Sequence, residues 1–192
     1  ILVTALLFSF LPAGGLVSED KPEKKARKAQ QQKKQRKVPA AMKPVTDVAG
    51  LPRVLLIGDS ISIGYTGVVR EILGEEAAVF RPTLADGARA ENCAGTTKGK
   101  EHIERWLSID GGDFDVVHFN FGLHDLKRMK PGTDRASNDP SHPRQAGLEL
   151  YIAQLREIVT ALRASRAQLI FATTTPVPEG GVKPHRDPAD VV

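Results

Sequence analysis

The sequence predicts a doubly wound α/β domain, and three observations carry that prediction. Short continuous apolar runs recur at residues 53–57 (RVLLI), 77–80, 115–121 (DVVHFNF) and 168–173 (QLIFAT). Stretches of helical periodicity lie between them. The resulting order β-α-β-α-β-α-β calls for parallel strands joined by right-handed crossovers.

Each element has its own warrant. The run 53–57 ends at Gly58 and suits a strand buried on both faces. Residues 64–73 read as a helix with Val68, Val69, Ile72 and Leu73 on one side. Residues 100–107 place Ile103, Trp106 and Leu107 at helical spacing, and Trp106 reads as core. Leu148, Tyr151, Ile152, Leu155, Ile158, Val159 and Leu162 recur at three- and four-residue steps, the clearest amphipathic helix in the chain. There is no internal repeat.

Length and charge set the domain plan. The 192 residues allow one ordinary domain with a tail. A single Cys excludes a disulfide scaffold and a cysteine-rich zinc module. No apolar run reaches the roughly 18 residues of a bilayer span. Residues 1–11 are almost wholly apolar and run into Pro12, Ala13, Gly14 and Gly15, the pattern of a signal-peptide core and cleavage region. An uncleaved anchor is the alternative. We expect a signal peptide over 1–18 with an incomplete start, and an exported chain, periplasmic or extracellular. Residues 19–37 hold nine Lys/Arg against three Asp/Glu, a surplus of six on a chain whose net charge is +4, so the rest is mildly acidic. With no aromatic residue in the run, a nucleic-acid role is disfavoured. Residues 19–51 read as a basic disordered linker able to touch anionic envelope polymers. The domain is expected over 52–192.

In doubly wound sheets, reactive groups sit in loops beyond the C-terminal strand ends. Three segments occupy such positions: GDSIS at 58–62, ENCAGTT at 91–97 and GLHD at 122–125. Ser60, at a strand-to-helix turn, can present its hydroxyl where the helix N-terminus favours negative charge. An Asp-Ser pair there is also an ordinary N-cap. Five residues separate Gly58 from Gly64 with no Lys following, so this is not a phosphate-binding P-loop. The dinucleotide fingerprint and the G-x-S-x-G elbow are absent too.

Taken together, RVLLIGDSIS at 53–62 and FNFGLHDL at 119–126 resemble the SGNH/GDSL hydrolase family, over about residues 53–178. The resemblance implies a flavodoxin-like three-layer α/β/α sandwich with a parallel sheet. It implies ester hydrolysis, often of acyl or acetyl groups on lipids and carbohydrates, through an acyl-enzyme. It makes Ser60 the nucleophile, supported by Asp59, with the Ser60 N–H in the oxyanion hole. Gly95 looks like the second-block glycine that donates another N–H, and Ala94 takes that role in a shifted alignment. The third block of the family reads Gly-x-Asn-Asp. Here His124 stands at the Asn position, where an imidazole N–H can still donate. Asn120, on the same strand side as His118 and Gly122, is a second candidate donor.

The family draws its base from a late Asp-x-x-His block. The one such string, Asp139-Pro140-Ser141-His142, falls between the third strand and the following helix and reads as coincidence, while His185 lacks matching context. The expectation is a C-terminally truncated fragment that lacks its base, with little or no esterase turnover and marginal stability. The strand-end prolines near Thr173 and Thr174 read as a pocket wall or a plain turn. Cys93 has no evident activating partner. No metal-ligand spacing is present, and neither metal nor cofactor is expected. Small-molecule or carbohydrate esters are the expected substrates. The competing readings are a non-catalytic glycan-binding module on the same fold and, behind it, an envelope tether working through the basic linker.

Overall fold

The computed structural model describes residues 38–180 and 182–191. The expected signal peptide and the linker over 19–37 lie outside the described residues. Four strands, β1 (Arg53–Ile57), β2 (Ala78–Phe80), β3 (Val116–Phe119) and β4 (Gln168–Phe171), alternate with three α-helices. These are α1 (Ser60–Leu73), α2 (Thr96–Leu107) and α3 (Leu148–Ala164). All strands are parallel, in the order β2-β1-β3-β4. This is an α/β fold consistent with a flavodoxin-like sandwich.

The register explains the two faces. Leu55 pairs with Phe80 on one side and Val117 on the other, and Ile57 pairs with Phe119. Alternation puts these side chains on one face, where they pack with Ile103 and Trp106 of α2 and Ile158 and Leu162 of α3. Burying such a side chain is worth about 1.5–3 kcal/mol relative to leaving it exposed. Gly99 lets the helices close up, because a Cβ there would stand 2.7 Å from Ile158 and 2.8 Å from Phe121. Trp106 is fully buried core, as its helical spacing implied, and its indole N–H donates to Glu91 at 3.1 Å.

The opposite face carries α1 and departs from expectation. The helix begins at Ser60, four residues before the predicted start, because Asp59 caps it by accepting from the Ile61 N–H at 2.9 Å. Its buried residues are Ser62 and Thr66, while Val68 and Ile72, expected to share a packed side, are 54% and 75% exposed. The reason is Arg81. Its guanidinium is buried under the helix and requires hydroxyl partners there, namely Thr66 Oγ1 at 2.6 Å and Ser62 Oγ at 3.3 Å.

Two boundaries are corrected as well. α2 starts at Thr96 and not at residue 100, with Gly95 as its N-cap. Residues 38–51, read as the end of the linker, belong to the compact unit Val38–Val192. Ala41 is buried, and Arg70 donates to the Ala40 and Lys43 carbonyls at 3.2 and 3.0 Å. Among the described residues no helix is long and apolar enough to cross a membrane.

Candidate active site

The loops after β1, β2 and β3 are tied to one another. The Cys93 N–H donates to the Gly58 carbonyl at 3.1 Å and joins the second loop to the first. Asp125 Oδ1 accepts from the Thr96 N–H at 2.8 Å and the Thr96 hydroxyl at 2.6 Å, joining the third loop to the second. His124 Nε2 lies 3.8 Å from Asp59 Oδ2, setting the third loop against the first.

Ser60 is exposed and opens α1, so its backbone N–H has no intrahelical acceptor. Asp59 beside it is buried. Its carboxylate holds the first turn of the helix, while the Ser62 hydroxyl donates to the Asp59 carbonyl at 2.8 Å. Ser60 thus projects from a turn braced on both sides of the chain. A Cβ at Gly58 would come within 2.9 Å of Ser62, so the glycine allows this close approach.

The second loop distinguishes Gly95 from Ala94. The Ala94 N–H is committed to Asn92 Oδ1 at 2.9 Å, and Ala94 itself takes a left-handed φ of 55°. Gly95, by contrast, caps α2 with extended backbone, its N–H without an acceptor among the described residues. Arg81 bridges the two loops. It bonds Ser62 on α1 and donates to the Glu91 carbonyl at 3.1 Å. Glu91 is itself fixed by Lys98 at 2.9 Å, Arg105 at 2.7 Å and Trp106.

His124 is partly buried. Burial first, then the nearby Lys127 charge, hold it below the usual imidazole range, and Asp59 offsets this only in part. It is therefore neutral near pH 7. Its Nδ1 is buried without a partner and its Nε2 faces Asp59. Asn120 does not offer a free amide. Its Nδ2 donates to the Ala172 and Thr173 carbonyls at 2.7 and 2.8 Å, which fixes the chain leaving β4. Both amide protons are thereby used, so Asn120 acts as a strand-end brace.

The remaining sequence candidates fall elsewhere. His142 Nδ1 lies 2.8 Å from Ser137 Oγ and its Nε2 3.7 Å from Asp139, within the loop between β3 and α3. The His185 backbone bonds Arg128 and Ser137. Cys93 is fully buried, which pushes its thiol up to about 12 and leaves it inert as a nucleophile. Thr173 and Thr174 line a cavity of about 670 Å³ with Gly122, Asp125, Tyr151 and Phe171. That cavity lies beside β4, and Ser60 is not among its lining residues.

Sequence reasoning assigned nothing to Arg81, Thr96, Asp125 or Arg186. Asp125 and Thr96 were within reach, standing in the GLHD and ENCAGTT segments. The others act through contacts distant in sequence and carry no motif. Neither a scan against protein-family models nor a search of curated proteins finds a match to this chain.

Proposed function

We propose that this chain is an exported serine hydrolase of the SGNH/GDSL type, cleaving acyl or acetyl esters, with carbohydrate or an envelope polymer as the alcohol. The supporting observation is the meeting of three loops at the turn that carries an exposed Ser60, with no acceptor for the Ser60 and Gly95 N–H groups among the described residues. In this reading Ser60 Oγ attacks the acyl carbonyl, the ester C–O bond breaks and the alcohol leaves, and water then hydrolyses the acyl-enzyme to release the acid and restore the serine. The two backbone N–H groups receive the charge that develops on the carbonyl oxygen. His124 Nε2–H is the third donor, free for the oxyanion because Asp59 Oδ2, at 3.8 Å, is too far to accept it. Asp59 fixes the helix turn that presents the nucleophile. The family resemblance assigns proton removal to an Asp-x-x-His block, and the string at Asp139–His142 bonds within its own loop.

A second reading, a glycan-binding module on the same fold, is favoured by one observation. Among the described residues no imidazole is hydrogen-bonded to Ser60. A fluorophosphonate probe separates the two. Labelling of the full-length protein that is lost in Ser60→Ala supports the hydrolase. Absent labelling with retained glycan binding supports the module.

A further inference from the structure

The turn that carries His124 is gripped by two cations that the hydrolytic reading leaves without a task. Lys127 closes the turn, its N–H directed to the His124 carbonyl at 3.4 Å. Arg186 arrives from the far end of the described chain, where its Nε donates to the Leu123 carbonyl at 2.5 Å and its Nη1 to the Pro184 carbonyl at 3.1 Å. The arginine is only 6% exposed, and its Nη2 makes no hydrogen bond among the described residues. Neither cation has a carboxylate within salt-bridge distance among those residues.

This is an uncommon placement, since a buried guanidinium is normally paired. The carboxylates facing the turn are Asp59 and Asp125, both buried, and each has its Oδ1 committed to a backbone N–H. Lys98 also faces His124 but is neutralised by Glu91 at 2.9 Å. Both are lowered chiefly by burial; Arg186 lowers Lys127 further while Asp125 raises it, and Asp59 raises Arg186. Lys127 lies on the turn, bonded to the His124 carbonyl, and Arg186 is bonded to the turn through the Leu123 carbonyl.

We propose that Lys127 and Arg186 form an anion subsite at this turn, which holds a carboxylate or phosphate group of the molecule bound in the crevice. Arg186 supplies a donor through Nη2, its guanidinium held in place by the Leu123 and Pro184 carbonyls, and Lys127 supplies a mobile one. An anion there relieves the repulsion between the two cations. The subsite rests on the hydrolase reading only for its consequence, that the ester substrate is itself negatively charged.

The test is titration calorimetry of the full-length protein at low ionic strength, with inorganic phosphate in one arm and glucuronate in the other. Saturable binding in either arm is expected, and the tighter arm identifies the anion. Lys127→Gln should weaken it about fivefold, the loss of one partly exposed ion pair. Lys130→Gln, on an exposed side chain of the same loop, should not. Arg186→Lys serves beside Lys127→Gln in case the loss of the Leu123 contact perturbs folding. Binding in neither arm, or undiminished binding in Lys127→Gln and in folded Arg186→Lys, overturns the proposal. Fluorophosphonate labelling of the same samples keeps the two ideas apart. Labelling without anion binding sinks the subsite alone, and anion binding without labelling sinks the hydrolase alone.

Discussion

Gly95 and Asp125 leave no room between them: a Cβ added at Gly95 would stand 2.7 Å from Asp125 Oδ1 and 2.9 Å from its Oδ2. The same carboxylate receives both the N–H and the hydroxyl of Thr96. Glycine at this position is what lets the second and third loops touch. Gly95→Ala should therefore cost about 1–3 kcal/mol in urea unfolding, the range for forced overpacking. Gly64→Ala is the control. It lies inside α1 with nothing within 4 Å of an added Cβ, and should stabilise by about 0.5–1 kcal/mol.

Asp125 should also leave a signature in pH. Burial, its chief influence, raises its folded pKa, and the bonds from Thr96 only partly offset that. The folded state then holds the proton more tightly than the unfolded chain, where an Asp ionises near about 3.9. The stability this residue contributes is full below that pH and is lost as pH climbs through the raised value. Asp125→Asn should flatten this decline, as measured by unfolding midpoints across the acidic range.

Glu91 has the opposite sign. Burial acts to raise its pKa, but Arg105, Lys98 and Trp106 outweigh it and the net shift is downward. Its contribution is present above the ordinary carboxylate range and disappears as pH falls through the folded value. Glu91→Gln should cost about 2 kcal/mol at neutral pH, below the usual figure for a broken buried pair because Arg105 is half exposed. It should also remove part of the acid sensitivity.

Arg81→Met should be costly in two measurements. Loss of the guanidinium takes a donor from the Ser62 and Thr66 hydroxyls, which keep their own bonds to the Asp59 and Ser62 carbonyls, and from the Glu91 carbonyl, for about 2–4 kcal/mol of stability. In a folded sample, the fluorophosphonate should react with Ser60 more slowly, since the bridge between the first two loops is gone. Unchanged labelling would assign Arg81 to stability alone.

His124→Ala should lower turnover of an activated aryl ester by about 10²–10³, the usual effect of losing one donor to the oxyanion. His124 is held below the usual imidazole range, so its neutral form persists to lower pH. The protonated ring keeps its Nε2–H, so titration of His124 should leave the donor in place, and an acid limb in the rate profile would place another group in control.

The sheet was largely legible in the sequence, because buried parallel strands must be continuous apolar runs and Leu55, Val117 and Phe119 stand in such runs. α3 was equally plain, since Ile158 and Leu162 recur at the step its core face requires. The start of α1 is less plain, because Asp59 and Ser60 suit loop chemistry and a helix cap equally, and the Ile61 N–H to Asp59 bond decides for the cap. Its inward face could not be read from hydrophobicity, because Arg81 lies 15 residues beyond Thr66 and reverses which side is buried. Asn120 illustrates the same limit in the site. Its residue type suits an oxyanion donor, but its partners, Ala172 and Thr173, lie more than fifty residues away and claim both protons.

The joint beneath α1 is built from one guanidinium and three oxygens. Greasy surfaces can slide past one another by a fraction of a side chain at little expense, whereas hydrogen bonds lose most of their worth on tilting by a few tens of degrees. A helix seated this way resists slippage and rotation together. Evolution can thus vary the outward residues at 68 and 72 freely while the aim of the hydroxyl at its tip stays the same.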